Sequence, residues 1–199
     1  MPVTGDTTVQ FTLTDIDVGS RLYEALMQHA KSTQGAPITY EDLLTLGRQL
    51  HPKDAMLGRA VPVGIGMKLA FIDAFCKANA CPRLACLAVG KASMRPQFGY
   101  QGDWDADRQA VAAFDWSGAQ ARMAAFAAEM RAKVPKRLKP RKERPADVAW
   151  YAYFCSHREA CARVGAEDKV EIINLLMAGL DPETALRRVM VAKAEMGQS

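Results

Sequence analysis

The sequence predicts an α+β protein, in which a helix-rich N-terminal domain with a small sheet is followed by a basic linker and a C-terminal three-helix unit. Three observations predict this class. Apolar residues recur every three or four positions through most of the chain, which is typical of amphipathic helices. Two short segments have strand-like patterns instead. A basic, proline-containing stretch then divides the chain, and we expect the three parts to cover 1–134, 135–146 and 147–199.

Strand-like patterns occur twice in the N-terminal domain. Val9, Phe11 and Leu13 alternate with polar residues over 8–14, which is the period of a half-buried strand. Residues 84–89 form a short apolar run without polar alternation, which is typical of a strand buried on both faces. We therefore expect a small sheet built from these two segments.

Five helices are predicted around these strands, at about 20–31, 39–50, 67–79, 103–114 and 118–134, the fourth capped by Asp103 or Asp105. Ser20 is the expected N-cap of the first helix. The second has a capping-box-like start, because Thr39 and Asp42 stand three residues apart. Residues 56–66 are expected to be an irregular connection, in which glycine permits the turn into the third helix.

The C-terminal unit has the start and stop signals of three short helices. Asp147 is the expected cap of the first helix, and the second, at 167–178, is expected to end at Gly179. Asp181 followed by Pro182 is a strong signal for the start of the third. A unit of only about 50 residues is marginally stable alone, so we expect it to pack against the N-terminal domain.

The linker contains the densest charge of the chain. Between Arg131 and Arg144, eight basic residues stand against the single acid Glu143, so this stretch carries +7 while the whole chain carries +4. Such a cluster predicts binding to the phosphates of nucleic acid, and the alternative is a solvated spacer that contacts nothing. The candidate binding residues are Lys136, Arg137, Lys139, Arg141, Lys142 and Arg144 of the linker, together with Arg187 and Arg188 of the last helix.

The last two helices have helix-turn-helix character around Gly179-Leu180-Asp181. In that interpretation the final helix meets DNA through Arg187 and Arg188. The same pattern, a hydrophobic helix, a Met-Ala-Gly-Leu turn and an Ala-Leu helix, also resembles the ubiquitin-associated fold, and this resemblance implies a protein partner. A purely structural αα-hairpin explains the same turn.

The cysteines indicate packing more than chemistry. Cys76, Cys81 and Cys86 recur every five residues, a spacing that does not fit the ligand pairs of structural zinc, so we expect them in the core. An odd number of five cysteines, and an N-terminus without the features of a secretory signal, predict reduced thiols in a cytoplasmic protein.

Asp103, Asp105 and Asp107 alternate in a way that a metal-dependent nuclease could use. Helix capping and solvation explain the same acids. A calcium loop is excluded because Arg108 stands where that loop requires glycine. Three aromatic residues nearby either stack on bases or anchor a loop to the core: Phe98, Tyr100 and Trp104.

These features favour a cytoplasmic accessory or regulatory binding protein over an enzyme. The first hypothesis is nucleic-acid binding through the linker and the C-terminal helices. The alternative is a protein-interaction or inhibitory factor that docks a partner through its helical tail, and a third hypothesis is a small metal-dependent nuclease. Neither a cofactor nor a metal is indicated, no apolar stretch is long enough to span a membrane, and the oligomeric state stays open. An alanine- and arginine-rich composition suits a bacterial protein carried by a plasmid or phage.

Overall fold

The structure, a computed structural model, describes residues 10–96 and 100–197. It is mostly helical with a small parallel sheet, so the helix-rich fold class is confirmed. The predicted positions Thr8, Val9 and Phe98 lie outside the described residues. The α-helices of the described chain are α1 (Leu13–Thr33), α2 (Tyr40–Leu50), α3 (Ala55–Arg59), α4 (Gly66–Ala78), α5 (Trp104–Ala113), α6 (Ala119–Lys133), α7 (Glu143–Ser156), α8 (Ala166–Met177) and α9 (Pro182–Gly197).

The predicted N-terminal strand is wrong over the described residues 10–14, because residues 10–12 have no regular secondary structure and α1 begins at Leu13. The Asp15 N–H donates to Thr12 Oγ1 at 3.1 Å, and the Asp15 carboxylate accepts the Thr12 N–H at 3.0 Å. This reciprocal capping box stabilises a helix start that the alternating pattern does not reveal. The predicted start at Ser20 is therefore also wrong, since Ser20 lies inside α1 and its hydroxyl donates to the Ile16 carbonyl at 2.7 Å.

The predicted buried strand at 84–89 is reduced to its last two residues. Leu84–Leu87 forms a 3₁₀ helix, and only β2 (Ala88–Val89) pairs, in parallel, with β1 (Ile38–Thr39). All six residues of the run are buried, as expected. The burial of a short apolar run does not fix its backbone conformation, which explains why the strand prediction was too long.

The remaining N-terminal helices follow the sequence closely. The bounds of α2, α4, α5 and α6 each lie within one residue of the predicted ones. The connection at 56–66 is more regular than expected, because it contains most of α3 and a 3₁₀ turn at Pro62–Gly64. Asp54 begins α3 by accepting the Leu57 N–H at 3.0 Å.

Helix α7 begins at Glu143, four residues before the predicted cap at Asp147. The predicted linker is therefore helical at its C-terminal end. Pro145 lies in the first turn of α7, where a proline is tolerated because the N–H that it lacks would have no helical partner.

Two apolar clusters form the interior. The larger surrounds α1 and α4 and includes the fully buried Leu22, Phe71 and Phe75. The smaller lies among α7, α8 and α9 around Ile172, and Val63 from the 3₁₀ turn belongs to it. The C-terminal helices therefore pack on the segment that precedes α4. Within the part of the chain that is described, no helix is both long and apolar enough to cross a bilayer.

Candidate polyanion-binding surface

The basic segment, defined here as residues 135–144, lies against the turn between α8 and α9. The Arg141 N–H donates to the Met177 carbonyl at 2.8 Å, and the Arg141 guanidinium donates to the Leu180 carbonyl at 3.3 Å. These bonds fix both the backbone and one side chain of the segment. The segment is therefore docked on the helical unit along part of its length.

Gly179 makes this close approach possible. Its φ of +102° lies in the left-handed region that favours glycine, and a Cβ at this position would lie 2.8 Å from the Leu138 carbonyl carbon and the Lys139 nitrogen. The Leu138 N–H donates to the Pro135 carbonyl at 2.9 Å and closes a turn in the segment. The glycine turn predicted from the sequence therefore not only ends α8 but also provides the surface against which the basic segment packs.

The acid within the basic stretch does not neutralise its neighbours. Glu143 instead pairs with Arg59 Nη1 at 2.8 Å. Two earlier cations of the stretch are paired, Arg131 with Asp17 at 2.6 Å and Lys133 with an acid on its own helix. Six exposed cations of the basic segment form no ion pair with a carboxylate among residues 10–96 and 100–197: Lys136, Arg137, Lys139, Arg141, Lys142 and Arg144.

The two candidate arginines of α9 have different surroundings. Arg187 is exposed and lines a 440 Å³ pocket between α9 and the start of α4. Arg188 is partly buried, and its Nη2 lies 2.7 Å from each carboxylate oxygen of the buried Asp15. Arg188 therefore has an internal counterion, whereas no carboxylate pairs with Arg187 among the described residues.

Asp15 and Arg188 belong to a buried charge network that joins the two halves of the chain. Lys68 Nζ lies 3.1 Å from Glu171 Oε1 and 3.6 Å from Asp15 Oδ1. The side chains of Asp15, Lys68 and Glu171 are 0%, 4% and 2% exposed. The Asn174 side-chain amide donates to Glu171 Oε2 at 3.3 Å. The negative charges of Asp15 and Glu171 balance the positive charges of Lys68 and Arg188. Buried charges need such partners, because an unpaired charge in the interior is strongly destabilising.

The electrostatics of Asp15 follow from this network. Burial alone would raise the pKa of its carboxyl, but the Arg188 guanidinium and the Lys68 ammonium hold the pKa below its ordinary value. Asp15 is therefore an anion at neutral pH and serves as the fixed counterion of α9.

Sequence reasoning missed this network, although two signals were present. Lys68 interrupts the apolar run of α4, and Glu171 precedes Ile172 and Ile173 in the most apolar part of α8. A charged residue among residues that are all buried needs a partner of opposite charge. The sequence does not tell which partner that is, because Lys68 and Glu171 are 103 positions apart.

The acids of the nuclease hypothesis already have partners. Asp103 caps α5, Asp105 lies 3.3 Å from Arg108, and Asp107 accepts a hydrogen bond from the Tyr100 hydroxyl. Within the described residues, no group of three or more histidine, cysteine or acidic side chains could hold a metal ion. The geometry of these acids gives the nuclease hypothesis no support.

The aromatic and cysteine side chains beside α5 contribute to packing. Tyr100 and Trp104 pack against the larger apolar cluster, and the Trp104 indole N–H donates to the Cys86 carbonyl at 2.8 Å. Cys76 and Cys86 are buried, and burial raises the pKa of each thiol to about 12. Cys81 is only partly buried. Neither buried thiol is ionised at neutral pH.

A second surface of different chemistry lies on α7. Val148 is 62% exposed and Tyr151 is 68% exposed, and both line a 620 Å³ groove with Phe154. Asp147 and Lys169 stand at the edge of the groove and pair at 3.5 Å. This groove presents exposed apolar and aromatic side chains to a partner.

Comparison with known proteins identifies no relative. No protein-family model matches the chain, and neither a curated protein nor a solved structure is significantly similar to it.

Proposed function

We propose that this protein binds nucleic acid through the basic segment, with a further contact from Arg187 on α9. The observation that carries the proposal is the group of six exposed cations without carboxylate partners among the described residues. Unpaired lysine and arginine side chains that reach a phosphate backbone release its condensed counterions, and this release drives association.

The docking of the segment supports a binding surface over a solvated spacer. A spacer gains nothing from a fixed backbone, whereas Arg141 is held at both its N–H and its guanidinium. A segment that is already ordered loses less conformational entropy when it binds. The ion pair between Glu143 and Arg59 also supports a binding surface. Because Glu143 is paired with Arg59, its negative charge does not neutralise the cations of the segment.

The proposal is tested by measuring binding to a fluorescently labelled oligonucleotide, single-stranded and duplex, over a range of salt concentrations. If the six cations contact phosphates, affinity should fall by about a thousandfold between about 50 and 200 mM salt. Changing Lys136, Lys139 and Lys142 to glutamine should weaken binding and make its salt dependence less steep. A matched variant with three exposed lysines outside the segment changed, Lys53, Lys77 and Lys91, should bind as the native protein does.

A flat salt dependence, or an equal effect of the two triple variants, would contradict the proposal. Equal effects would mean that only the net charge of the chain matters and that the basic segment has no special part in binding.

A second candidate function is supported by the apolar groove on α7. Val148 and Tyr151 are large apolar side chains with most of their surface in solvent, and such patches are typical of protein–protein contacts. Changing Tyr151 to aspartate should abolish capture of a protein partner while leaving nucleic-acid binding intact. If the aspartate variant captures the same partner equally well, the groove is not the docking site.

A further inference from the structure

We infer that the basic segment and α9 together form one structured site for an internal phosphodiester of the nucleic-acid backbone, at Arg137, Arg141 and Arg188. This inference rests on the proposed function and refines it. Three arginines would hold one phosphate in a structured site, and the other cations of the surface would contact the neighbouring phosphates by charge alone. The three guanidinium groups line a single pocket of 270 Å³, here called the arginine pocket. Thr12 and Thr184 also line it, with the Thr12 hydroxyl donating to Asp15 Oδ2 at 2.9 Å and the Thr184 hydroxyl bonded to Asp181.

The arginines of the pocket are positioned before any ligand arrives. Each donates to one internal acceptor and keeps further N–H groups, since a guanidinium carries five donors. The acceptors are the Gln10 side-chain oxygen for Arg137 at 3.2 Å, the Leu180 carbonyl for Arg141 at 3.3 Å and the Asp15 carboxylate for Arg188 at 2.7 Å. Guanidinium groups held in this way lose little freedom on binding, and their planar fork fits two oxygens of one phosphate.

The charge of the pocket matches a monoanion. The three arginines are offset by two carboxylates, those of Asp15 and of Asp181, which lines the pocket and caps α9. A surplus of one positive charge remains, and an internal phosphodiester carries one negative charge. A terminal phosphate, with a charge nearer −2, is matched less well.

The position of the pocket also favours an internal phosphate over a strand end. Lys136 and Lys139 flank Arg137 in the chain, and Lys142 and Arg144 follow Arg141, all with exposed side chains. Cations that precede and follow these arginines in the chain can contact the phosphates before and after the one that is bound in the pocket. The pocket would thus set the register of a strand that the other cations hold by charge alone.

The inference is tested without changing any charge. In the double variant Arg137→Lys and Arg141→Lys, the charge stays the same but the planar fork is lost, so affinity for the labelled oligonucleotide should fall by about tenfold or more. The matched control, Arg158→Lys with Arg163→Lys, makes the same change at two exposed arginines outside the surface and should keep the native affinity. Thermal unfolding of both variants should match that of the native protein.

A measurement on the native protein avoids any question of folding. Dimethyl phosphate, a free phosphodiester monoanion, is titrated while the arginine Nε–H resonances are followed by NMR. The signals of Arg137, Arg141 and Arg188 should shift together and at lower concentration than that of Arg144. If all arginines shift in parallel, or if a phosphoserine peptide competes more strongly than the oligonucleotide, the inference is wrong.

The outcomes separate the inference from the function on which it rests. If the two double variants bind the oligonucleotide equally well and with a steep salt dependence, the structured phosphodiester site does not exist, but the basic segment still binds nucleic acid. If the native protein binds no oligonucleotide at low salt, the proposed function is wrong and the inference with it.

Discussion

Two groups of charge in this molecule contrast sharply, the buried network at Asp15 and the exposed basic segment. In the network, Lys68 and Arg188 have carboxylate partners within 4 Å and the charges balance. In the basic segment, the cations face solvent and their single acidic neighbour, Glu143, is paired with Arg59. Balanced charges hold two parts of a fold together, whereas uncompensated charges are available to an external ligand. Arg188 links the two groups, because it pairs with Asp15 and lines the arginine pocket together with Arg137 and Arg141 of the basic segment.

The largest effect on stability is expected when the buried network loses one member. Changing Lys68 to methionine leaves Glu171 and Asp15 without their shared cation and should lower the free energy of unfolding by about 3–5 kcal/mol. Chemical denaturation measures this loss. The control is Lys77→Met on the same helix, where the side chain is exposed and the change should have little effect. Equal losses in both variants would show that the network does not stabilise the fold.

The next effect concerns the docking of the basic segment. Gly179→Ala combines a left-handed backbone with a Cβ 2.8 Å from the Leu138 carbonyl carbon, so we expect a loss of about 3 kcal/mol. Gly118→Ala has the same kind of backbone strain but open space around its Cβ, and it should lose only about 1–2 kcal/mol. A loss that is no larger at Gly179 than at Gly118 would contradict the close packing of the segment.

A smaller loss is expected where a glycine accommodates the network. A Cβ on Gly64 would lie 2.2 Å from the carboxylate carbon of Glu171, which Lys68 and Asn174 hold in place. Gly64→Ala should therefore cost about 1–3 kcal/mol of unfolding free energy. Gly58→Ala, in α3 with no atom within 4 Å of the new Cβ, should be neutral or slightly stabilising. The comparison fails if the two alanine variants unfold alike.

The pH dependence of stability reports on Asp15. Its pKa in the folded state lies below the ordinary value of 3.8, so the stability that its charge provides is fully present above pH 3.8 and is lost as the pH falls through the folded-state pKa. Unfolding measured between neutral and acidic pH should show this loss. Because Asp115 and Asp181 also have lowered pKa values, the Asp15→Asn variant isolates the part due to Asp15. Its acid-induced loss should be smaller than that of the native protein.

The smallest effect on stability is expected in the basic segment itself. Lys139→Ala removes an exposed charge that has no carboxylate partner among the described residues, so the free energy of unfolding should change by no more than about 0.5 kcal/mol. Oligonucleotide affinity should fall in the same variant. A large loss of stability here would mean that the segment has a structural role, which would weaken the contrast with the network.

Local features of the sequence determined much of the fold. The starts of α2 and α5 follow from the side-chain caps Thr39 and Asp103. The bounds of α4 and α6 follow from apolar spacing and from the prolines after their ends, Pro82 and Pro135. All of these signals act within a few residues. The same local rules failed at the N-terminus, where the alternation of Phe11 and Leu13 suggested a strand. There the capping box of Thr12 and Asp15 gives the local reason for a helix, and the packing of Ile16 and Leu22 in the larger apolar cluster gives the tertiary one.

The sequence by itself also located the basic segment and its candidate residues, since charge density along a chain needs no folded structure to be visible. Only the tertiary structure decided which charges are available. In the fold, Glu171 pairs with Lys68 and Asp15 pairs with Arg188, although each pair is separated by more than a hundred residues in the chain. Glu143 pairs with Arg59 and not with the cations beside it in the sequence. Coulomb interactions depend on distance in space and on burial, and neither quantity can be read from positions along a chain.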